Sequence, residues 1–213
     1  MRNLTPLDHL LVNLDQGIRT VFGKPQVTER PDPAKDIPES PELSTAEQKH
    51  VARLMRINHT GEVCAQALYQ GQALTAKLPE VGEKMHRAAA EENDHLDWCE
   101  KRVHELGEHT SLFNPFWYVS SFAIGAAAGV AGDKWSLGFV VETERQVVCH
   151  LEQHLSQLPK QDAKTEAILK QMKIDEKEHA TTALNAGGAP LPAPVKFMMH
   201  QSAKLMTKTT YWI

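Results

Sequence analysis

Cysteine is scarce in this chain of 213 residues. Cys64, Cys99 and Cys149 are too few and too scattered for a disulfide framework, and no CxxC spacing offers a thiolate clip for a metal. A reducing compartment is the expectation. Positive charge is also in short supply: a net charge of −4 with no long basic run argues against nucleic acid as a partner, because that affinity comes largely from neutralised phosphates. The N-terminus lacks the basic start, apolar run and small-residue cleavage site of a secretory signal. The chain is therefore read as cytosolic or bound to a membrane from the cytosolic side. No Gly-rich nucleotide-binding motif is present, and no segment has a convincing strand pattern.

What the sequence does have is helical periodicity and eleven histidines. Leu7, Leu10, Leu11, Leu14, Ile18 and Val21 recur at helical spacing, predicting a short amphipathic helix from Leu4 to Phe22. Pro25, Pro31, Pro33, Pro38 and Pro41 follow within seventeen residues, which only an extended connector accommodates. Residues 1–43 thus form an N-terminal appendage to a domain over 44–213. Ser44-Thr-Ala-Glu47 has the form of a capping box and opens a helix that runs to about Lys77, before Leu78-Pro79. Further long helices are predicted over Glu80–Leu106, Trp135–Leu158 and Asp162–Asn185. Between the second and third lies Leu112–Gly132, 21 residues without a charge. That is long enough to span a bilayer, but its Ala/Gly half is weakly hydrophobic. We expect it to cover the bundle and present apolar surface to a membrane interface. The tail from Pro190 to Ile213 closes as a basic amphipathic segment. The expected fold is all-α, a four-helix bundle with an additional apolar membrane-interface helix.

Glu-x-x-His places a carboxylate and an imidazole about 60° apart on one helical face, where both can reach one ion. Four such pairs occur: Glu47/His50, Glu83/His86, Glu92/His95 and Glu176/His179. Glu47 belongs to the capping box. Glu92 and His95 fall in the apolar stripe of Val81, Met85, Ala88, Cys99 and Val103, whereas Glu83 lies about 180° away from Glu92. Glu176 and His179 fall in the stripe of Leu169, Met172, Ala180 and Ala183, with Glu178 roughly opposite. Each remaining helix adds one acid: Glu62 among Val51, Met55, Ala65 and Tyr69, and Glu144 among Leu137, Val141, Val148, Leu151 and Leu155. Glu142 is about 200° round the wheel from Glu144 and reads as a surface charge.

The spacings form a repeat, from Glu62 to Glu92-x-x-His95 and again from Glu144 to Glu176-x-x-His179. A lone Glu on an apolar stripe is ordinarily a paired or partly exposed acid, but six residues in phase and duplicated are a site. Four carboxylates and two imidazoles in one core would repel one another and lose hydration, a cost of several kcal/mol per ion unless cations compensate. Two divalent ions do so. Hard oxygen and imidazole donors without thiolate suit iron or manganese rather than structural zinc, and this is the general ligand arrangement of ferritin-like di-metal bundles. Asp175 reads either as an acceptor orienting a ligand imidazole or as a solvated acid. His150 reads as a core histidine, with contact to substrate or proton relay as the alternative.

Asn58-His-Thr-Gly-Glu-Val-Cys-Ala65, Glu91-Glu-Asn-Asp-His-Leu96 and Asp175-Glu-Lys-Glu-His179 resemble the motifs of the demethoxyubiquinone hydroxylase family, over about Leu54 to the C-terminus. The resemblance implies a monooxygenase holding two ferrous ions through Glu62, Glu92, His95, Glu144, Glu176 and His179, with Glu92 and Glu176 as bridges. It implies insertion of one oxygen atom from O2 into a polyprenyl benzoquinol ring in ubiquinone biosynthesis, with electrons from NADH or from the quinol itself. It further implies a peripheral protein on the cytoplasmic face of the inner membrane, working beside accessory proteins of that synthesis. The competing expectations are a di-iron hydroxylase of another substrate, such as a tRNA base, and an iron store or buffer. The acidic balance counts against the first and the apolar helix against the second.

Overall fold

A computed structural model describes residues 6–28, 30–38 and 43–213, and among them the regular structure is entirely helical. The helices are α1 (Pro6–Phe22), α2 (Thr45–Thr75), α3 (Pro79–Glu105), α4 (Asn114–Val130), α5 (Asp133–Gln157), α6 (Ala163–Asn185) and α7 (Ala193–Thr210). The expected start of the first helix at Leu4 and Pro41 of the connector lie outside the described residues.

The stops and starts have local causes. Ser44 caps α2 through the reciprocal bonds with Glu47 that the sequence predicts. Asp162 accepts from the Thr165 amide to cap α6. α3 ends at Gly107, whose φ of 74° suits glycine.

Helices α2, α3, α5 and α6 form the four-helix bundle. Two apolar clusters fill it, one above the other. Val51, Met55, Cys99, Val103, Leu151, Leu169 and Met172 occupy one end. Ala65, Tyr69, Val81, Met85, Leu137, Val141 and Ala183 occupy the other. Every one of the six candidate ligands falls, in sequence, between members of these two sets on its own helix. The bundle therefore places them in one layer, walled by apolar side chains above and below.

α3 finishes at the first end and α5 begins at the second, so the chain must travel the length of the bundle between them. α4 makes that crossing, its 17 residues spanning about 26 Å against the outside of α2. The two backbones approach so closely that a Cβ on Gly125 would sit 2.2 Å from the Leu68 carbonyl oxygen, and one on Gly71 would sit 2.3 Å from that of Phe122. Among the described residues no helix is long and apolar enough to cross a membrane. α4 instead buries Tyr118, Ser121 and Gly125 while exposing Phe116, Val119, Ile124 and Val130.

α1 lies beside α4, with Gly17 packed on the Tyr118 ring and Thr20 bonded to Gln66. Its stripe of Leu11, Leu14 and Ile18 faces outward. The tail helix α7 docks along α2 and α5: the Tyr211 hydroxyl lies 3.0 Å from His50 Nδ1, Arg53 stacks on Tyr211 and Trp212, and Lys196 pairs with Glu142 at 3.0 Å. Phe197, Met198, Leu205 and Trp212 remain exposed.

Candidate metal centre

Glu62 from α2, Glu92 and His95 from α3, and Glu176 from α6 converge, offering one ligand atom each within 4.8 Å of one another. All four are buried, Glu92 and His95 completely. His95 Nδ1 lies 2.9 Å from Glu92 Oε2, 3.1 Å from Glu176 Oε1 and 3.8 Å from Glu62 Oε2. His179 mirrors it, with Nδ1 3.1 Å from Glu92 Oε1 and 3.2 Å from Glu176 Oε2. Two imidazoles thus point the same nitrogen at the same two carboxylates from opposite sides. Glu144 is 1% exposed and stands at the edge of the group, its Oε1 accepting a hydrogen bond from the Tyr69 hydroxyl.

The helical-phase choices hold in position. Glu178 and Glu83 are exposed, whereas Glu142, expected as a surface charge, is mostly covered and pairs with Lys196 of α7. His150 packs against His154 with ring centroids 3.9 Å apart and planes tilted by 59°, and His154 Nδ1 lies 3.0 Å from Asn58 Oδ1. That pair belongs to the core rather than to the carboxylate layer.

Both imidazoles have a second carboxylate behind them. Asp175 Oδ2 lies 2.9 Å from His95 Nε2, and Glu91 Oε2 lies 2.8 Å from His179 Nε2. An Nε2–H donated outward leaves Nδ1 as the inward lone pair, which is how such partners fix a ligand tautomer. The sequence reading raised Asp175 but missed Glu91. Its signal was present: each bridging-type Glu is preceded by an acid, so the repeat is (Asp/Glu)-Glu-x-x-His rather than Glu-x-x-His.

The residues fit divalent ions on two observations. First, Glu92 Oε1 and Glu176 Oε1 are buried and make no hydrogen bond, although an imidazole nitrogen is only 3.1 Å from each. Unsatisfied buried acceptors cost about 1–3 kcal/mol each, and a cation between the oxygens and Nδ1 removes that cost. Second, protons must otherwise do the ions' work. Burial, and then the neighbouring Glu92, push Glu62 well above the usual carboxylate range. Burial, then Glu176 and Glu92, do the same to Glu144. Burial would raise Glu92 too, but the charge of His95 and the closeness of both imidazoles hold it well below. Burial disfavours the charged forms of His95 and His179, yet the surrounding carboxylates carry both far above the ordinary imidazole value. The donors are oxygen and imidazole only: the buried Cys99 turns its Sγ to Met172 Sδ at 3.7 Å. Iron or manganese suits such a set.

A cavity of about 380 Å³ opens against His179, walled by Tyr69, Met85, Ala88, Leu137 and Val140 on one side and by Arg30, Lys84, Arg87 and Glu178 on the other. By contrast, the crevice over Glu144 between Leu68, Phe139 and Val140 has no water-sized space. The room lies on the neighbouring His179 side, where side chains of α2, α3, α5 and α6 and Arg30 of the connector line it together.

Comparison with known proteins adds an independent observation. Residues 49–210 match the family described as ubiquinone biosynthesis protein COQ7. The 3-demethoxyubiquinol 3-hydroxylase of Nitrosococcus oceani is 58% identical over 212 residues, covering 100% of this chain and 99% of its own. The protein of the same name from Pseudomonas syringae is 58% identical with 100% and 98% covered, and that from Nitrosomonas eutropha is 55% identical with 97% and 99% covered. Among solved structures, the dodecameric thioferritin, a bacterioferritin-related protein of Bacteroides fragilis, aligns with a TM-score of 0.55 at 19% identity, over 65% of this chain and 84% of that one. That likeness identifies the bundle as ferritin-like.

Proposed function

The chain belongs to the COQ7 family of ubiquinone biosynthesis proteins, and from that premise we propose that it hydroxylates the ring of a polyprenyl 3-demethoxybenzoquinol with O2 at a di-iron centre. The observation that carries the site reading is the pair of Nδ1 atoms aimed at Glu92 and Glu176 from opposite sides. Glu62, Glu92, His95, Glu144, Glu176 and His179 would hold the two ions, with Glu92 and Glu176, which face both imidazoles, within reach of each. Two bound ferrous ions would supply the redox partner that O2 requires.

The chain's own residues do the rest. Asp175 and Glu91 hold the imidazoles with Nε2–H outward. The apolar clusters wall the layer above and below, and the low polarity they impose strengthens the charge interactions of its buried members. The cavity at His179 admits the quinol ring, with apolar walls for its face and charged groups at its mouth. One oxygen atom enters the ring C–H and the other leaves as water, so each turnover draws two electrons and two protons, both from a quinol, or from NADH with one of the protons taken from solvent.

The prenyl tail calls for a greasy surface. The outward stripes of α1 and α4, with the exposed apolar residues of α7, serve as the contact of a peripheral protein with the cytoplasmic face of the inner membrane. They also suit accessory proteins of the same synthesis. Neither a tRNA-base hydroxylase nor an iron store accounts for these stripes.

The test is turnover of a short-tailed 3-demethoxyubiquinol with NADH under 18O2 by iron-loaded protein. One 18O in the new hydroxyl group is expected, together with about two iron atoms per chain. Unlabelled product, or product from iron-free protein, would refute the reading.

A further inference from the structure

The Pro-rich connector between α1 and α2 does more than join them. After α1 it passes over the outer side of α3 and α6 and makes specific polar contacts there. The Thr28 amide donates to Asp94 Oδ1 at 2.7 Å and its hydroxyl donates to Asp94 Oδ2 at 2.6 Å. Arg30 Nε lies 3.4 Å from Asp94 Oδ2, and Arg30 Nη2 donates to Asp175 Oδ2. The guanidinium also stacks 5.1 Å from the Trp98 ring centroid, and that ring is 5.3 Å from the His95 imidazole.

Asp94 is fully buried, which a carboxylate tolerates only when paired and hydrogen-bonded. Asp175 in turn carries His95 Nε2 at 2.9 Å. We infer that Thr28 and Arg30 form a clasp whose task is to fix the Asp175 carboxylate and, through it, the rotation of His95, so that Nδ1 faces Glu92 and Glu176. Arg30 is a positioning residue: it acts on the metal centre only through Asp175.

The inference rests on the metal reading of the site and deepens it. Its geometry is particular to one half of the repeat. Behind His179, Glu91 is gripped among the described residues by Arg87 of its own helix, at 3.2 Å, and the Arg87 side chain is 84% exposed. A planar guanidinium can lie between Asp94 and Asp175 and stack on Trp98 at once, which an ammonium cannot. The clasp also lies outside residues 49–210, the segment matched by the family.

Cobalt(II) binding to the metal-free full-length protein tests the clasp, read by affinity against a chelator and by the visible ligand-field spectrum. Wild type should bind two ions. Arg30→Gln should weaken one of the two by about ten- to a hundredfold, the range expected for partners behind a ligand, and shift the bands of that ion alone. Arg30→Lys should recover only part of the affinity. Thr28→Val should show the same change in smaller measure, and it serves if Arg30→Gln does not fold. Arg19→Gln, which removes an exposed cation paired with Asp15, should match wild type. Wild type that binds no cobalt would sink the metal reading and the clasp with it. Wild type that binds two ions while Arg30→Gln and Thr28→Val share its affinity and spectrum would overturn the clasp alone.

Discussion

His95 and His179 hold equivalent places in the two halves of the bundle, yet their surroundings differ. His95 is fully buried, backed by Asp175 and closed over by the connector. His179 is partly exposed, backed by Glu91, and borders a cavity of about 380 Å³. The terminal acids differ too. Glu62 joins the tight group of ligand atoms, whereas Glu144 stands off with its carboxylate engaged by Tyr69. The same motif thus yields a closed half suited to holding metal and an open half suited to admitting a reactant. Duplication supplies the ligands, and the added segments break the symmetry.

The largest effect should come from what the halves share. Glu92→Ala and Glu176→Ala each remove a carboxylate facing both imidazoles, so most iron and nearly all hydroxylation should be lost. Glu178→Ala, on the exposed face, should keep its iron. Iron analysis after gel filtration reads this. Wild type should also melt higher with iron than without, because a ligand bound only to the folded state adds RT ln(1 + [L]/Kd), and the two alanine variants should lose that increment.

A smaller effect should separate the halves. Glu144→Gln keeps the volume and the Tyr69 contact but removes one charge from the open half. It should weaken the second ion by about ten- to a hundredfold and slow turnover while leaving the first ion in place. Glu142→Gln, at the Lys196 contact, should behave as wild type. Stepwise iron titration distinguishes one weakened site from two.

Smaller again is the effect of closing the open half. Ala88→Phe places a ring in the cavity wall and should lower kcat/KM roughly tenfold with iron content unchanged. An equal loss of iron would mean that the cavity is part of the metal site rather than an approach to it.

How much of this was legible follows the same division. The six proposed ligands could be picked out because helix phase converts sequence position into direction, and because Glu142 and Glu178 fail the phase test that Glu144 and Glu176 pass. The capping box at Ser44 and the stops at Pro79 and Gly107 are equally local. Asp94 could not be read: it lies about 200° from Glu92 on α3, a direction that is solvent in a bare bundle and is buried only because the connector covers it. Arg30 and Thr28 sit in a segment without periodicity, and their partners are 145 and 66 residues away. The cavity takes its lining from four helices and the connector, which no single helix encodes. Tyr69 was legible as a stripe residue, but its hydroxyl finds Glu144 only once α2 and α5 are packed.

The smallest effect lies outside both halves of the site and tests the apolar end beneath it. Burial lowers His59 from 6.5 to about 4, and burial with neighbouring imidazole charge lowers His154 to about 2. The unfolded chain takes up these protons below pH 6.5 while the folded one does not. Stability should therefore fall as pH drops from about 6.5 toward 4, by at most about 1.4 kcal/mol per pH unit for each histidine. These two residues contribute no pH dependence above that window. Urea midpoints of His154→Gln should show a flatter acid slope than wild type.

An anomalous-difference map at the iron edge, from crystals of iron-loaded protein grown without oxygen with a short-tailed quinol, tests the central claim most directly. The account predicts two iron peaks, each contacted by both Glu92 and Glu176, one beside His95 and Glu62 and the other beside His179 and Glu144, with the quinol ring in the cavity at His179. A single peak, peaks that leave Glu92 or Glu176 uncoordinated, or a ring bound outside the cavity at His179 would contradict it.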